Sequence, residues 1–307
     1  MTLHVLVLGS AAGGGFPQWN CACKNCVQVR AGAPGWQART QDSLAISADG
    51  ERWWLLNASP DVLHQMQRHT ELWPQQLRHS PVVGVVLTNG DLDHVLGLLQ
   101  LRESQRLAVY ASARVLEGLR ANAALRTLDR FEGHVLWRHL ELDVQTELVG
   151  PDGSASGIAL LPFALPGKAP LHLAGLPPSP EDNLGLRVRA TSASDESALV
   201  YASAVASLQT VPRELDQCAA LFMDGTFWSE QELPGQGIGN APARSMAHLP
   251  IGGDAGSLRA LASVHTQRRI YTHINNTNPI LDPSSVERAA VEDAGWSIAF
   301  DGLNLSI

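Results

Sequence analysis

A chain of 307 residues, 45% hydrophobic and 17% charged, has enough apolar material for a sizeable core, in one large domain or two ordinary ones. Its formal net charge of -8, scattered without runs of one sign, argues against nucleic acid or an acidic membrane surface as the main partner. No stretch approaches the roughly 20 apolar residues of a membrane span, the apolar N-terminus lacks a basic leader, and three of the four cysteines crowd together, so a reducing cytoplasm is the expected location and a metal knot the expected use of the thiols.

In chain order, HVLVLGS (4–10) is an apolar run that ends in Gly, as a buried strand feeding a loop does. The glycine run 13–15 follows it without GxGxxG spacing or a GK[ST] ending, so it is read as backbone passing close to a site and not as a phosphate loop. CACKNC (21–26) puts Cys21, Cys23 and Cys26 within reach of one ion, and soft sulfur selects zinc. This site is expected to be structural, pinning its loop or a subunit interface. Its fourth ligand stays open among Asn276, Asn278 and His265, while Cys218, alone in an apolar run, reads as core. SLAISA (43–48) and the run 48–59 form a hairpin about Asp49-Gly50. VVGVVLTN (82–89) is a further buried strand, and 93–104 continues with helical periodicity.

Short strands are predicted at 106–112, 134–140 and 157–165, and a second hairpin joins 185–192 to 197–203 across Asp195-Glu196. The Pro- and Gly-rich stretch 167–183 reads as a loop or lid. CAALFMDGTFW (218–228) is a strand ending in a polar loop, 257–267 is helical, RRIYTHIN (268–275) is a strand, and 284–295 is a helix ended by Gly295. Polar loops after apolar strands suggest two sheets packed face to face, helices outside, and a site along the strand-end edge. A doubly wound α/β fold fits the same periodicity.

Directly after the strand 82–89, Asp91, Asp93 and His94 can converge on one metal, or Asn89, Asp91 and Asp93 can cap a helix start. TNGDLDHVLGL (88–98) resembles the metallo-β-lactamase superfamily signature THxHxDHxxGL, with Asp93, His94 and Gly97 matching and Asn89 and Asp91 standing at the first two histidines. LFMDGTFW and IYTHINNTNP resemble the strands that carry the superfamily's later aspartate and last histidine, here Asp224 and His273. The resemblance implies that one metal's ligands are replaced, since its mid-chain histidine falls near Gly167 and Lys168. The other set, Asp93, His94, Asp224 and His273, survives, with Asp91 and Asn89 as further candidates. Two imidazoles with carboxylates and open positions suit Fe(II) or Mn(II) better than a hydrolytic zinc. A two-metal clamp on a phosphodiester would need the missing set.

The N-terminal run 8–26, the signature, NASPD (57–61) and MAHLPIGG (246–253) together are similar to the coenzyme PQQ synthesis protein B family within that superfamily. That resemblance implies one αββα domain over 1–307, a homodimer, and a step in making pyrroloquinoline quinone (PQQ) from a cross-linked Glu-Tyr unit. The implied chemistry is iron-dependent oxygenation of the tyrosine ring. The alternatives are a metal-dependent phosphodiesterase-like hydrolase and a carrier or exporter of the finished cofactor. A small acidic substrate calls for cations, and Lys168 and Arg244 are the candidates, each also readable as a solvated surface charge. His248 is similar in position to a proton-transfer histidine of related phosphodiesterases, or is a capping or core histidine. His64, His69, His79, His134, His139 and His172 have no motif around them and are assigned to surface or core.

Overall fold

The computed structural model describes residues 2–103, 105–130, 132–170, 177–209 and 213–307. His172 and the middle of the Pro- and Gly-rich stretch lie outside the described residues. One sheet is built from β1 (His4–Gly9), β2 (Ser43–Ser47), β3 (Trp53–Leu56), β4 (Val82–Val86), β5 (Leu107–Ala111) and β6 (Val135–His139). The second holds β7 (Thr146–Val149), β8 (Ala155–Ala164), β9 (Leu184–Ala190), β10 (Leu199–Ala202), β11 (Cys218–Asp224), β12 (Thr266–Thr272) and β13 (Trp296–Ile298). The last strand, β14 (Asn304–Ser306), returns to pair with β1, so the orders are β14-β1-β2-β3-β4-β5-β6 and β13-β12-β11-β10-β9-β8-β7.

Each sheet is half antiparallel and half parallel. Pairing is antiparallel from β14 to β3 and parallel from β3 to β6; in the second sheet β7 to β10 is antiparallel and β10 to β13 parallel. Between the sheets lie Val5, Ile46, Trp54 and Val86 from one and Leu186, Tyr201, Phe222 and Ile270 from the other. Two further apolar layers cover the outer faces and bury helical residues such as Val62, Val115 and Leu119 on one side and Val291 on the other. Strands buried on both faces explain the nearly continuous apolar runs β2, β3, β5, β10 and β11. The architecture is the αββα sandwich, and the doubly wound alternative does not apply.

Both hairpins form, with Gly50 at φ 77° in the first turn and Val188 opposite Leu199 in the second. The helical stretch 93–104 is broken into helices Leu92–Val95 and Gly97–Gln100. At the break the Gly97 N–H donates to the Ala58 carbonyl at 2.9 Å, and a Cβ there would stand 2.3 Å from the Ser59 carbonyl oxygen. From 257–267 only Ser257–Ala260 is α-helical, whereas Val286–Asp293 forms with Ser285 capping the Arg288 N–H. Among the described residues no helix is long and apolar enough to cross a membrane.

Candidate metal centre

The site lies at the carboxyl ends of the parallel strands, where open α/β sheets leave a crevice. After β4 the chain turns through Asn89, whose Oδ1 accepts the Asp91 N–H at 3.0 Å and whose Nδ2 donates to Asn183 Oδ1 at 3.2 Å. Asn89 thus ties the two sheets together, with both ends of its amide engaged in hydrogen bonds. Asp91 occupies the N-cap position of helix Leu92–Val95, but its side chain makes no capping bond. Its carbonyl accepts the His94 N–H at 2.9 Å, which turns Asp93 and His94 inward.

Asp93, His94 and His273 converge, with ligand atoms mutually within 4.8 Å. Asp93 Oδ2 stands 3.2 Å from His273 Nε2 and 3.9 Å from His94 Nε2. The two rings meet edge to face, 5.4 Å between centroids. His94 is 1% exposed and its Nε2 has no hydrogen-bond partner, which for a buried polar atom calls for an explanation. His273 leaves β12 with φ 54°, a left-handed conformation that a non-glycine residue holds only when its surroundings impose it.

Asp224, expected in the same set, forms a neighbouring group with His248 and His273. Its Oδ2 accepts from Val205 N–H and from His248 Nδ1, both at 2.8 Å; its Oδ1 accepts from Thr226 N–H at 3.0 Å and Thr226 Oγ1 at 2.7 Å. Asp224 reaches an ion only by giving up one of these four bonds. The middle of this second group is already filled by Thr226 Oγ1, which is also 2.8 Å from His273 Nδ1 and 3.1 Å from His248 Nδ1. One group is therefore a hydrogen-bonded hub, and the other leaves a buried imidazole nitrogen without a hydrogen-bond partner beside a carboxylate.

Electrostatics agree with that division. Burial raises the Asp93 carboxyl, but the imidazoles of His94 and His273 outweigh it and hold the group well below the usual carboxylate range. Burial pulls His273 down, yet the Asp93 hydrogen bond and the charges of Asp93, Asp42 and Asp224 lift it to about 9. His94 goes the other way, lowered by burial. An anionic carboxylate beside a neutral, unpartnered imidazole is a metal-ready pair.

The glycine run lies against this centre: a Cβ on Gly13 would come within 3.1 Å of Asp93 Oδ2, and Gly14 and Gly15 adopt φ 98° and 69°. Past it, the thiols of Cys21, Cys23 and Cys26 form a third group within 4.8 Å. Asn276 Nδ2 faces all three sulfurs, at 3.1, 3.5 and 3.4 Å. A half-turn of that amide presents Oδ1 instead, and three thiolates with one amide oxygen make a four-donor set suited to zinc. Of the other two candidates, Asn278 spends its side chain on Gly225, Thr226 and Ile280. His265 is exposed and paired with Asp216.

Arg244 is paired with Glu230 at 2.6 Å and donates to the Ala255 carbonyl. Lys168 is exposed; its neighbour Gly167 packs on Asn183, a Cβ there meeting the Asn183 Cβ at 2.7 Å. Sequence reasoning missed four residues behind the centre: Asn57, Thr88, Asp42 and Tyr201, all buried. Asn57 lies in NASPD and Thr88 opens the signature stretch 88–98, both quoted only for their family likeness, and nothing in the spacing of Asp42 and Tyr201 marks them.

Comparison with known proteins gives a consistent answer. A family model described as a beta-lactamase superfamily domain matches residues 52–274. Coenzyme PQQ synthesis protein B of Rhizobium meliloti is 42% identical over 310 residues, covering 99% of this chain and 98% of the relative. The Bradyrhizobium diazoefficiens protein of that name is 41% identical, with 99% of each chain covered. The crystal structure of Zn2+-bound PqqB from Methylobacterium extorquens superposes with a TM-score of 0.91 at 39% identity, covering 99% of this chain and 100% of that one. A diphosphatase of the PhnP family, 19% identical with a TM-score of 0.69 and covering 100% of this chain and 98% of its own, shares the fold.

Proposed function

This chain belongs to the coenzyme PQQ synthesis protein B family of the metallo-β-lactamase superfamily, and on that premise we propose that it carries out an oxygen-dependent hydroxylation of the tyrosine ring in a Glu-Tyr-derived precursor of PQQ. The observation that carries this reading is the unpartnered Nε2 of His94 beside Asp93 and His273. Two histidines and one carboxylate with the remaining positions open are the donor set of non-haem Fe(II) oxygenases. Zinc in the Methylobacterium relative supports a metal in this family, and iron is our assignment here.

Asp93 Oδ2, His94 Nε2 and His273 Nε2 would hold the ion. When bound, ferrous iron supplies the activation of dioxygen that no side chain can provide. One oxygen atom enters a ring C–H bond as hydroxyl and the other leaves as water, with two electrons and two protons from an external reductant such as ascorbate. His248, oriented through its Nδ1 by Asp224, keeps Nε2 available to take the proton from the substituted ring carbon. Lys168 is exposed and follows Gly167, which packs on the Asn183 that holds Asn89, and we assign it to a substrate carboxylate. Arg244, already paired with Glu230, would meet a substrate carboxylate in competition with that partner. A cytoplasmic homodimer belongs to the same proposal.

Among the described residues Asp91 belongs to no group that could hold a metal, and Asn89 is engaged by the Asp91 N–H and by Asn183, which weighs against two-metal hydrolysis. The test is anaerobic Fe(II) reconstitution of the wild type and His94→Ala, followed by oxygen, reductant and substrate. Hydroxylated product is expected from the wild type alone. Equal product from both removes the proposed centre, and turnover of a chromogenic phosphodiester without oxygen would move the assignment to hydrolysis.

A further inference from the structure

We infer that Thr88 and Thr226 are positioning residues that keep a proton on Nδ1 of both metal-facing imidazoles, so that Nε2 is the atom each ring presents to the ion; this rests on the metal centre proposed above. Histidine ligands are normally oriented by a carboxylate or a backbone carbonyl on the second ring nitrogen. Here a threonine hydroxyl stands at that place twice: Thr88 Oγ1 is 3.3 Å from His94 Nδ1, and Thr226 Oγ1 is 2.8 Å from His273 Nδ1. A hydroxyl can donate or accept, so by itself it selects no tautomer. What selects one is where the hydroxyl proton is already committed.

Both sites commit it in the same way. Thr88 sends its backbone N–H and its hydroxyl to one oxygen, Asn57 Oδ1, at 2.9 and 3.0 Å. Because a backbone N–H can only donate, that amide atom must be the oxygen. Asn57 Nδ2 then donates to Tyr201 Oη at 3.3 Å, and Tyr201 donates to Asp42, which also accepts from Thr272. Every proton along this chain points away from His94 and ends on a buried carboxylate. Thr226 likewise sends its backbone N–H and its hydroxyl to one oxygen, Asp224 Oδ1, at 3.0 and 2.7 Å. Its other acceptor, the His273 carbonyl at 2.9 Å, cannot donate either. With each hydroxyl proton spent, the lone pairs face the rings and require Nδ1–H. For His94 this also accounts for the solitary Nε2: a buried lone pair without a donor is tolerated better than a buried N–H without an acceptor.

The test uses the full chain with its cysteine cluster already loaded. First, 15N–1H correlation spectra of wild-type protein labelled at histidine, with the centre metal-free, report which nitrogen of His94 carries the proton. Nδ1–H is expected, and Nε2–H would overturn the inference without any variant having to fold. Second, Zn2+ is titrated calorimetrically into the wild type, Thr88→Val, Thr226→Val and the two serine variants. The valine variants are expected to bind ten- to a hundredfold more weakly, and Thr88→Val to move His94 towards Nε2–H. The serine variants, which keep the hydroxyl, are expected to stay within about threefold of wild type. Valine variants that bind as the wild type does, or serine variants as weak as valine, would overturn the positioning role. A wild type that takes up no Zn2+ beyond the cysteine cluster would instead remove the centre itself.

Discussion

Replacing Asp224 with asparagine keeps the shape and removes the ability to accept on both sides. The wild-type carboxylate is fully buried and receives four donors, two of them backbone N–H groups, from Val205 and Thr226. An amide must turn its NH2 towards one of these pairs. Facing Oδ2's partners, it leaves the Val205 N–H orphaned while His248 switches tautomer. Facing Oδ1's partners, it orphans the Thr226 N–H while the Thr226 hydroxyl turns to the His273 carbonyl. Either way one buried donor is left unpaired, at about 1–3 kcal/mol, and one charge-assisted bond goes, at about 1.5–3 kcal/mol. Relief from burying a charge offsets part of this, so a loss of about 3 kcal/mol is expected in urea denaturation at neutral pH. Zn2+ affinity should fall by less than about tenfold, because Asp93, His94 and His273 remain, while turnover collapses as His248 loses its orientation. A stability loss under about 1 kcal/mol together with metal binding weakened more than about a hundredfold would refute this division of roles and make Asp224 a direct ligand.

Two further outcomes follow from buried geometry. Glu232 is buried beneath Trp228 and Thr277, and burial raises its carboxyl from 4.5 to about 7. The folded state then binds this proton more tightly than the unfolded chain, so stability falls as pH rises from about 4.5 to 7 and levels off above, by up to about 3 kcal/mol. Glu232→Gln, whose amide can donate to Thr277 Oγ1 and accept from the Trp228 N–H, should flatten that slope in chemical denaturation and be the more stable protein at pH 8; an unchanged slope would refute the assignment. Gly97→Ala pushes a methyl to 2.3 Å from the Ser59 carbonyl oxygen and 2.6 Å from that of Ala58. Neither backbone can rotate away, so a cost of about 3 kcal/mol is expected, seen as a melting temperature lower by on the order of 10 °C. A melting curve that superposes on wild type would show that the loop yields freely.

The apolar runs and turn residues made most strands legible, because strands buried on both faces carry an unbroken hydrophobic signal. The short strands Thr146–Val149, Trp296–Ile298 and Asn304–Ser306 gave too little of it. Helical periodicity over 93–104 was genuine, but tertiary contact at Gly97 overrode it. Asp93 and His94 were legible in the polar stretch after a buried strand, and Asp224 and His273 through the superfamily resemblance of their strands. Which of them face one another was not: Asp224 meets Val205 and His248 across 19 and 24 residues, and the left-handed turn at His273 has no signature. The network behind His94 joins Asn57 to Tyr201 over 144 residues and Tyr201 to Asp42 over 159, and common residues at such separations leave no spacing to read. Arg244 looked like a free cation because its partner Glu230 lies 14 residues back, on the other side of a Gly- and Pro-containing loop.

His273 and Asn276 are three peptide units apart, a span of at most about 10 Å. The first belongs to the imidazole pair proposed to hold the ion and the second touches all three thiols. The stretch between them is held by the Ser10 carbonyl on Ile274 and the Thr226 carbonyl on Asn275. So short a link leaves little slack, and chelation or oxidation of the thiols is expected to disturb the imidazole at its other end.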